Sequence, residues 1–219
     1  MRNTWFSDYS KRAVSLCYQV QSRLEGTDLG SVIPSLSEQQ LRSIAENVAE
    51  IFHRLRHVAT NGRFGYIYGD DSECRDSWSD VVSEMITEVE RRNAATSVVG
   101  AELLKVAHDV FRDYEPHFDS VSSTCFYDDI SSKHILVHAG RFIGIVDLDG
   151  VAYGDPLEAV GRIKACWFGT RYGHEYLSAI EQSLNLTSYQ RNVVTAYALL
   201  HRICWLSEKG RQESSEVLT

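Results

Sequence analysis

Helix-breaking residues are scarce, with three prolines in 219 residues. A hydrophobic fraction of 43% with so few breakers excludes an unstructured chain and leaves room for long helices. Long apolar runs are also missing. No stretch approaches the roughly 18 consecutive apolar residues that a membrane-spanning helix needs, and Met1-Arg2-Asn3-Thr4-Trp5 has no apolar core of a signal peptide. No membrane association is expected, and the expected compartment is the cytoplasm. Positive charge is short as well: 22 Lys and Arg stand against 30 Asp and Glu, a net charge of −8. Such a chain has no basic field with which to displace counterions from a phosphate backbone, so nucleic acid is excluded as an expected partner. The five cysteines, Cys17, Cys74, Cys125, Cys166 and Cys204, never form a C-x-x-C pair. Neither a disulfide framework nor a cysteine-based zinc site is indicated, and they read as buried thiols.

What is present begins with Val14, Leu16, Tyr18 and Val20 alternating with polar residues, the period-2 pattern of a half-buried strand. Ser37 and Gln40 make a capping box ahead of Leu41, Ile44, Ala45, Val48, Ile51, Phe52 and Leu55, which predicts a helix over about 38 to 58. A connector rich in Gly, Asp and Ser follows. Trp78, Val81, Val82, Met85, Ile86 and Val89 then repeat the helical stripe, and a third helix is expected from about Ala101 to Tyr114, ended by Pro116. Short apolar runs at Ile135-Leu136-Val137 and Phe142-Ile143-Gly144-Ile145-Val146, parted by His138-Ala139-Gly140-Arg141, read as a β-hairpin. Three more helices are expected, over about 157 to 168, 175 to 184 and 188 to 207, the last opened by Thr187 and Gln190. The segment after Gly210 is polar.

Chemistry concentrates around the hairpin. Tyr127-Asp128-Asp129 precedes its first strand and Asp147-Leu148-Asp149 follows its second. A hairpin brings its ends together, so Asp129 and Asp147 should lie within several ångströms of one another. Carboxylates so placed suit a divalent cation supplemented by water and substrate phosphates. Taken singly, each aspartate is also a common turn residue.

The stretch from Cys125 to Arg162 resembles the catalytic segment of the aminoglycoside phosphotransferase and choline kinase family, which is distantly akin to the protein kinases. The family pattern, His-x-Asp, four residues, Asn, then a hairpin and Asp, falls on Tyr127, Asp129, His134 and Asp147, and two of these four positions match. Gly154-Asp155-Pro156-Leu157 resembles the exit from the family's metal-binding loop, and Leu24-Glu25-Gly26-Thr27-Asp28-Leu29 resembles its hinge. Phe64-Gly65 and Trp78 also sit where the family commonly has them, and the likeness covers about residues 14 to 205.

The fold that this resemblance implies is α+β and mostly helical: a kinase-like C-terminal lobe with a catalytic β-hairpin and a short N-terminal strand remnant. Residues 1–30 would be that remnant with the hinge, 31–210 the helical lobe and 211–219 a polar tail. The implied activity is transfer of phosphate from ATP, with Mg²⁺, to a small-molecule hydroxyl. Asp129 would be the catalytic base and Asp147 a metal ligand. His134 would occupy the second metal-ligand position, with Tyr127 and Asp149 in support. His134 departs from the family's Asn, and nitrogen donors suit transition metals better than Mg²⁺, which demands oxygen. Tyr127 replaces a loop-supporting His and can still donate a hydrogen bond. The family's Gly-rich loop and its phosphate-pairing Lys and Glu find no matching sequence, and Gly62-Arg63-Phe64-Gly65-Tyr66-Ile67-Tyr68-Gly69 lacks the required spacing. Since phosphoryl transfer depends on positioning and electrostatics, the expected catalyst is weak unless a homodimer or a partner chain covers the missing N-lobe. A catalytically degenerate pseudokinase that binds a ligand or partner is the alternative, and a truncated gene product a third.

Overall fold

Reciprocal capping starts the first long helix where the sequence places it. The Gln40 amide donates to the Ser37 hydroxyl at 3.3 Å and the Ser37 amide donates to the Gln40 side chain at 2.9 Å. Two donors that the helix start would leave bare are thereby satisfied. In this computed structural model, which describes residues 4–67, 74–148 and 150–216, the elements run in the following order. Strands β1 (Thr4–Asp8), β2 (Tyr18–Gln21) and β3 (Thr27–Asp28) lead into helices α1 (Leu29–Val32) and α2 (Glu38–Leu55). Next come β4 (Gly65–Tyr66), α3 (Trp78–Thr96), α4 (Ala101–Ser120), β5 (Thr124–Tyr127), β6 (Ile135–His138), β7 (Arg141–Ile145) and β8 (Val151–Gly154). Helices α5 (Leu157–Trp167), α6 (Gly173–Ser183) and α7 (Ser188–Glu216) complete the chain. The fold is α+β and mostly helical, as expected. No helix among the described residues is long and apolar enough to cross a membrane.

Leu41, Ile44, Ala45, Val48, Ala49 and Phe52 form the buried stripe of α2, which packs on α6. Helix α7 lies against α3 and α5 through Val193, Val194, Tyr197 and Leu200. The α5–α7 approach needs a glycine: a Cβ on Gly161 would stand 2.4 Å from the Tyr197 Cβ. No disulfide links the five cysteines; Cys74, Cys125 and Cys204 are buried or partly buried and Cys17 and Cys166 exposed, which corrects the uniform buried reading.

Three element boundaries differ from expectation, the last helix α7 running to Glu216 where an end near 207 was expected. Helix α4 runs past Pro116 to Ser120. Proline removes one ladder hydrogen bond, but Arg112 and Pro116 lie on the exposed side, where the freed carbonyl is not forced into the core, while the buried Phe118 holds the next turn to the core. The alternating segment at Val14–Val20 is a strand only from Tyr18, and Val14, Leu16 and Val20 are exposed. Among the described residues, most side chains of the antiparallel β1–β2 ribbon are exposed, so its alternation has no buried side to define.

Two three-stranded sheets hold the acidic segment, in the orders β3-β6-β7 and β4-β8-β5. Strands β6 and β7 form the expected hairpin, turning through Ala139 (φ 49°) and Gly140 (φ 73°). Both residues with positive φ are what a tight hairpin connection requires. Gly65 and Tyr66 pair with β8 and are not part of a phosphate-binding loop, while Tyr68 and Gly69 lie outside the described residues.

Candidate functional site

Strand β5 delivers Tyr127 opposite Val151 of β8, and the Asp128 amide donates to the Gly150 carbonyl at 2.8 Å. That pairing fixes the backbone just before Asp129. From the other side, Ile135 pairs with Ile145, and the Val146 amide donates to the His134 carbonyl at 2.9 Å. The hairpin therefore closes with His134 and Asp147 near Asp129. Asp147 takes a left-handed backbone conformation, φ 61°, a turn geometry that aspartate tolerates better than most residues.

His134 is the piece that joins the two acids. Its Nδ1 stands 3.4 Å from Asp129 Oδ2 and its Nε2 stands 3.4 Å from Asp147 Oδ2. Nδ1 is also 2.8 Å from the Asp129 carbonyl, to which it donates as the protonated ring nitrogen. Nε2 is then the nitrogen facing Asp147. The Tyr127 hydroxyl donates to the Asp147 carbonyl at 2.5 Å, tying the strand before the loop to the strand after it. Side-chain exposures of 45% for Asp129 and 56% for Asp147, against 17% for His134, leave both carboxylates open to solvent rather than locked in a buried ion pair. The structure brings together Tyr127, Asp129, His134 and Asp147; Asp149 lies outside the described residues.

The donor set decides what could bind between these groups. Two ligand atoms on bonds of about 2.1 Å lie roughly 3.0 Å apart at an octahedral corner and roughly 3.4 Å apart in a tetrahedron. The 3.4 Å between His134 Nε2 and Asp147 Oδ2 fits a shared cation, and a mixed nitrogen and oxygen pair suits manganese or zinc better than magnesium.

Beneath this open site lies a second polar group that the sequence reading did not assemble. Asp128 points away from Asp129, into the protein. Its Oδ2 is 2.6 Å from Arg162 Nη2 and accepts from the Tyr66 hydroxyl at 3.0 Å. Glu158 of α5 and His201 of α7 complete the cluster, with His201 Nε2 2.9 Å from Glu158 Oε1. Burial, followed by repulsion from Glu158, raises the Asp128 carboxyl well above the carboxylate range, and burial likewise raises Glu158. Burial first, then the Arg162 charge, pushes His201 down to about 4, so its imidazole is neutral. The doublet Asp128-Asp129 was visible in the sequence, but nothing there tied it to Glu158 or His201. A third group is a chain of donors ending on buried Asp155. Trp78 Nε1 donates to the Tyr197 hydroxyl at 2.6 Å, which donates to Asp155 Oδ2 at 2.8 Å. His117 Nε2 reaches the same oxygen at 2.8 Å, and the Leu157 amide donates to Oδ1 at 3.0 Å. Asp155 thus fastens the start of α5 to α3, α4 and α7.

An apolar groove of about 520 Å³ opens among α4, α5 and α7, lined by Val110, Tyr114, Phe168 and Leu199 with Lys164 and Arg202 at its polar edge. None of the acidic residues of the hairpin lines it.

Residues 7–191 match the model of a phosphotransferase enzyme family. Among solved structures, an aminoglycoside 2′-phosphotransferase in complex with GDP superposes with a TM-score of 0.69 at 12% identity, covering 98% of this chain and 70% of that one. A thermostable aminoglycoside phosphotransferase APH(4)-Ia, in a ternary complex with AMP-PNP and hygromycin B, gives a TM-score of 0.60 at 17% identity over 98% of this chain and 71% of that one. Choline kinase LicA from Streptococcus pneumoniae gives 0.57 at 13% identity, over 90% and 63%. No curated protein matches the sequence. At these identities the structures establish a shared fold.

Proposed function

From the premise that the chain belongs to the phosphotransferase enzyme family, we propose that it moves the γ-phosphoryl group of ATP onto the hydroxyl of a small molecule, with Asp129 as base. The observation that carries this reading is the pair of open carboxylates, Asp129 and Asp147, facing one imidazole across the mouth of the hairpin. Asp129 accepts the proton of the attacking hydroxyl and orients its oxygen, a new oxygen–phosphorus bond forms, the bond from the γ-phosphorus to the bridging oxygen breaks, and ADP departs. Tyr127 keeps the loop in register by holding the Asp147 carbonyl. Asp147 and the Nε2 of His134 would hold a divalent cation, which when bound supplies charge neutralisation for the nucleotide phosphates. Magnesium is the family expectation, and the nitrogen donor favours manganese in its place. The neighbours described with GDP, AMP-PNP and hygromycin B support a nucleotide donor and a small hydroxylated acceptor.

A second reading, ligand binding without transfer, is favoured by the same His134 ring, because it already contacts both acids. The two readings separate in a phosphate-transfer assay run with ATP, Mg²⁺ or Mn²⁺ and a panel of hydroxylated acceptors. Asp129→Asn is expected to lower turnover by about 10²–10⁴, the share that general-base catalysis typically contributes. Turnover that survives both Asp129→Asn and Asp147→Asn would refute the assigned roles. Nucleotide binding by calorimetry with no turnover under either metal would establish the second reading.

A further inference from the structure

The buried cluster beneath the catalytic loop carries more than a packing role. Asp128, Glu158 and His201 are all buried, with exposures of 3%, 0% and 2%, and one ligand atom from each lies within 4.8 Å of the others. Buried polar atoms normally have partners, and each one that lacks a partner calls for an explanation. Here Asp128 Oδ1, both carboxylate oxygens of Glu158 and Nε2 of His201 have no hydrogen-bond partner. Glu158 and His201 approach to 2.9 Å, yet the angle makes no hydrogen bond. Two carboxylates facing each other need either a shared proton or a cation between them, and as ionised groups these four atoms are unsatisfied.

We propose that Asp128, Glu158 and His201 form a closed site for one small transition-metal dication of the zinc class, distinct from the solvent-open pair at Asp129 and Asp147. Charge, donor chemistry and burial each narrow the choice. With both acids ionised, as ligands must be, two carboxylates and the Arg162 guanidinium leave one negative charge in the interior, which a dication would compensate. A donor set of one imidazole and two carboxylates is common for zinc, manganese and iron. Magnesium keeps several waters and calcium takes six to eight oxygens, and a site with exposures of 3%, 0% and 2% has room for neither arrangement. The Oδ2 of Asp128 takes Arg162 and Tyr66 while Oδ1 is left without a hydrogen-bond partner, and such outer support of one oxygen is common in metal-binding carboxylates. The ligands come from the catalytic loop, α5 and α7, so a bound ion would lock the peptide that carries Asp129 onto the helical body.

The test uses the full chain expressed in medium supplemented with zinc, purified, dialysed against a chelator and measured by elemental analysis. About one zinc per chain is expected, as for a structural site whose ion is enclosed on folding. Glu158→Gln and His201→Gln should each reduce zinc content at least about tenfold, whereas the Asp129→Asn, Asp147→Asn double variant should retain it. Wild-type protein without bound metal, or zinc lost with the Asp129 and Asp147 changes instead, would overturn the site. Should the buried variants fail to fold, cobalt(II) loaded into the wild-type chain provides the readout. Intense d–d bands of four- or five-coordinate cobalt without a thiolate charge-transfer band are expected. A spectrum of six-coordinate aqueous cobalt, or a thiolate band implicating a cysteine, would refute the assignment.

Discussion

Tyr197→Phe isolates one oxygen atom in the core. The ring is fully buried and phenylalanine keeps its packing, so the change removes a hydroxyl and little else. That hydroxyl accepts from Trp78 Nε1 at 2.6 Å and donates to Asp155 Oδ2 at 2.8 Å. Losing it leaves the indole N–H of buried Trp78 without its acceptor, at about 1–3 kcal/mol, and removes a charge-assisted bond of about 1.5–3 kcal/mol from Asp155. His117 and the Leu157 amide still serve Asp155, so the lower part of the combined range applies, about 3 kcal/mol. For a chain of this length that corresponds to a fall in Tm of roughly 6–12 °C. Burial first, then Asp155, raises the Tyr197 phenol well above its usual value, so the hydroxyl stays protonated and the loss should be the same at pH 7 and pH 9. Urea unfolding followed by tryptophan fluorescence and circular dichroism measures it. A loss under about 1 kcal/mol, at an unchanged denaturant slope, would show that the donor chain contributes little and would refute the argument.

His134→Asn restores an oxygen donor between the two acids; the expected result is a shift of metal preference toward Mg²⁺, read as a change of about tenfold or more in the Mg²⁺-to-Mn²⁺ activity ratio. Equal ratios before and after would exclude His134 from the metal site. His201 binds no proton in the folded chain until about pH 4, but would bind one near 6.5 when unfolded. Unfolding therefore takes up a proton between these values, and this group's contribution to stability grows as pH rises from about 4 to 6.5, by an amount on the order of 3 kcal/mol. Asp128 and Glu158, raised instead, work in the opposite sense, so the comparison that checks this is the pH dependence of urea midpoints in chelator for wild type against His201→Gln, with the variant expected to lose less between pH 7 and 5. Gly154→Ala would drive a Cβ to 2.1 Å from the Trp78 ring at a backbone φ of 157°. A loss of about 3 kcal/mol or more is expected in thermal unfolding, and a neutral effect would show that Trp78 can move aside.

The helices were legible because their stripes and caps are local signals. Ser37 with Gln40 and Thr187 with Gln190 both make the reciprocal bonds that their types and spacing suggest. The β6–β7 hairpin was legible for the same reason, and its closing residue His134 stands 3.4 Å from an oxygen of each of Asp129 and Asp147. Strands β4, β5 and β8 were not, since two to four residues are too few to establish a period and their pairing partners lie far along the chain. Pro116 misled because its helix is held by Phe118 and His117 farther on, a tertiary effect. The ring of Asp128, Glu158 and His201 was hidden because three distant elements supply it, and each residue alone reads as an ordinary polar position.

Asp128 and Asp129 are consecutive residues, and their side chains leave the backbone on opposite sides, one toward water and one toward the interior. A single peptide therefore connects the surface carboxylate to a guanidinium on α5 and, through Glu158, to an imidazole on α7. Substitutions deep in those helices can consequently disturb the hairpin mouth without touching a substrate, and a loss of turnover from such a distant change would report a loosened tether and not a missing reactive group.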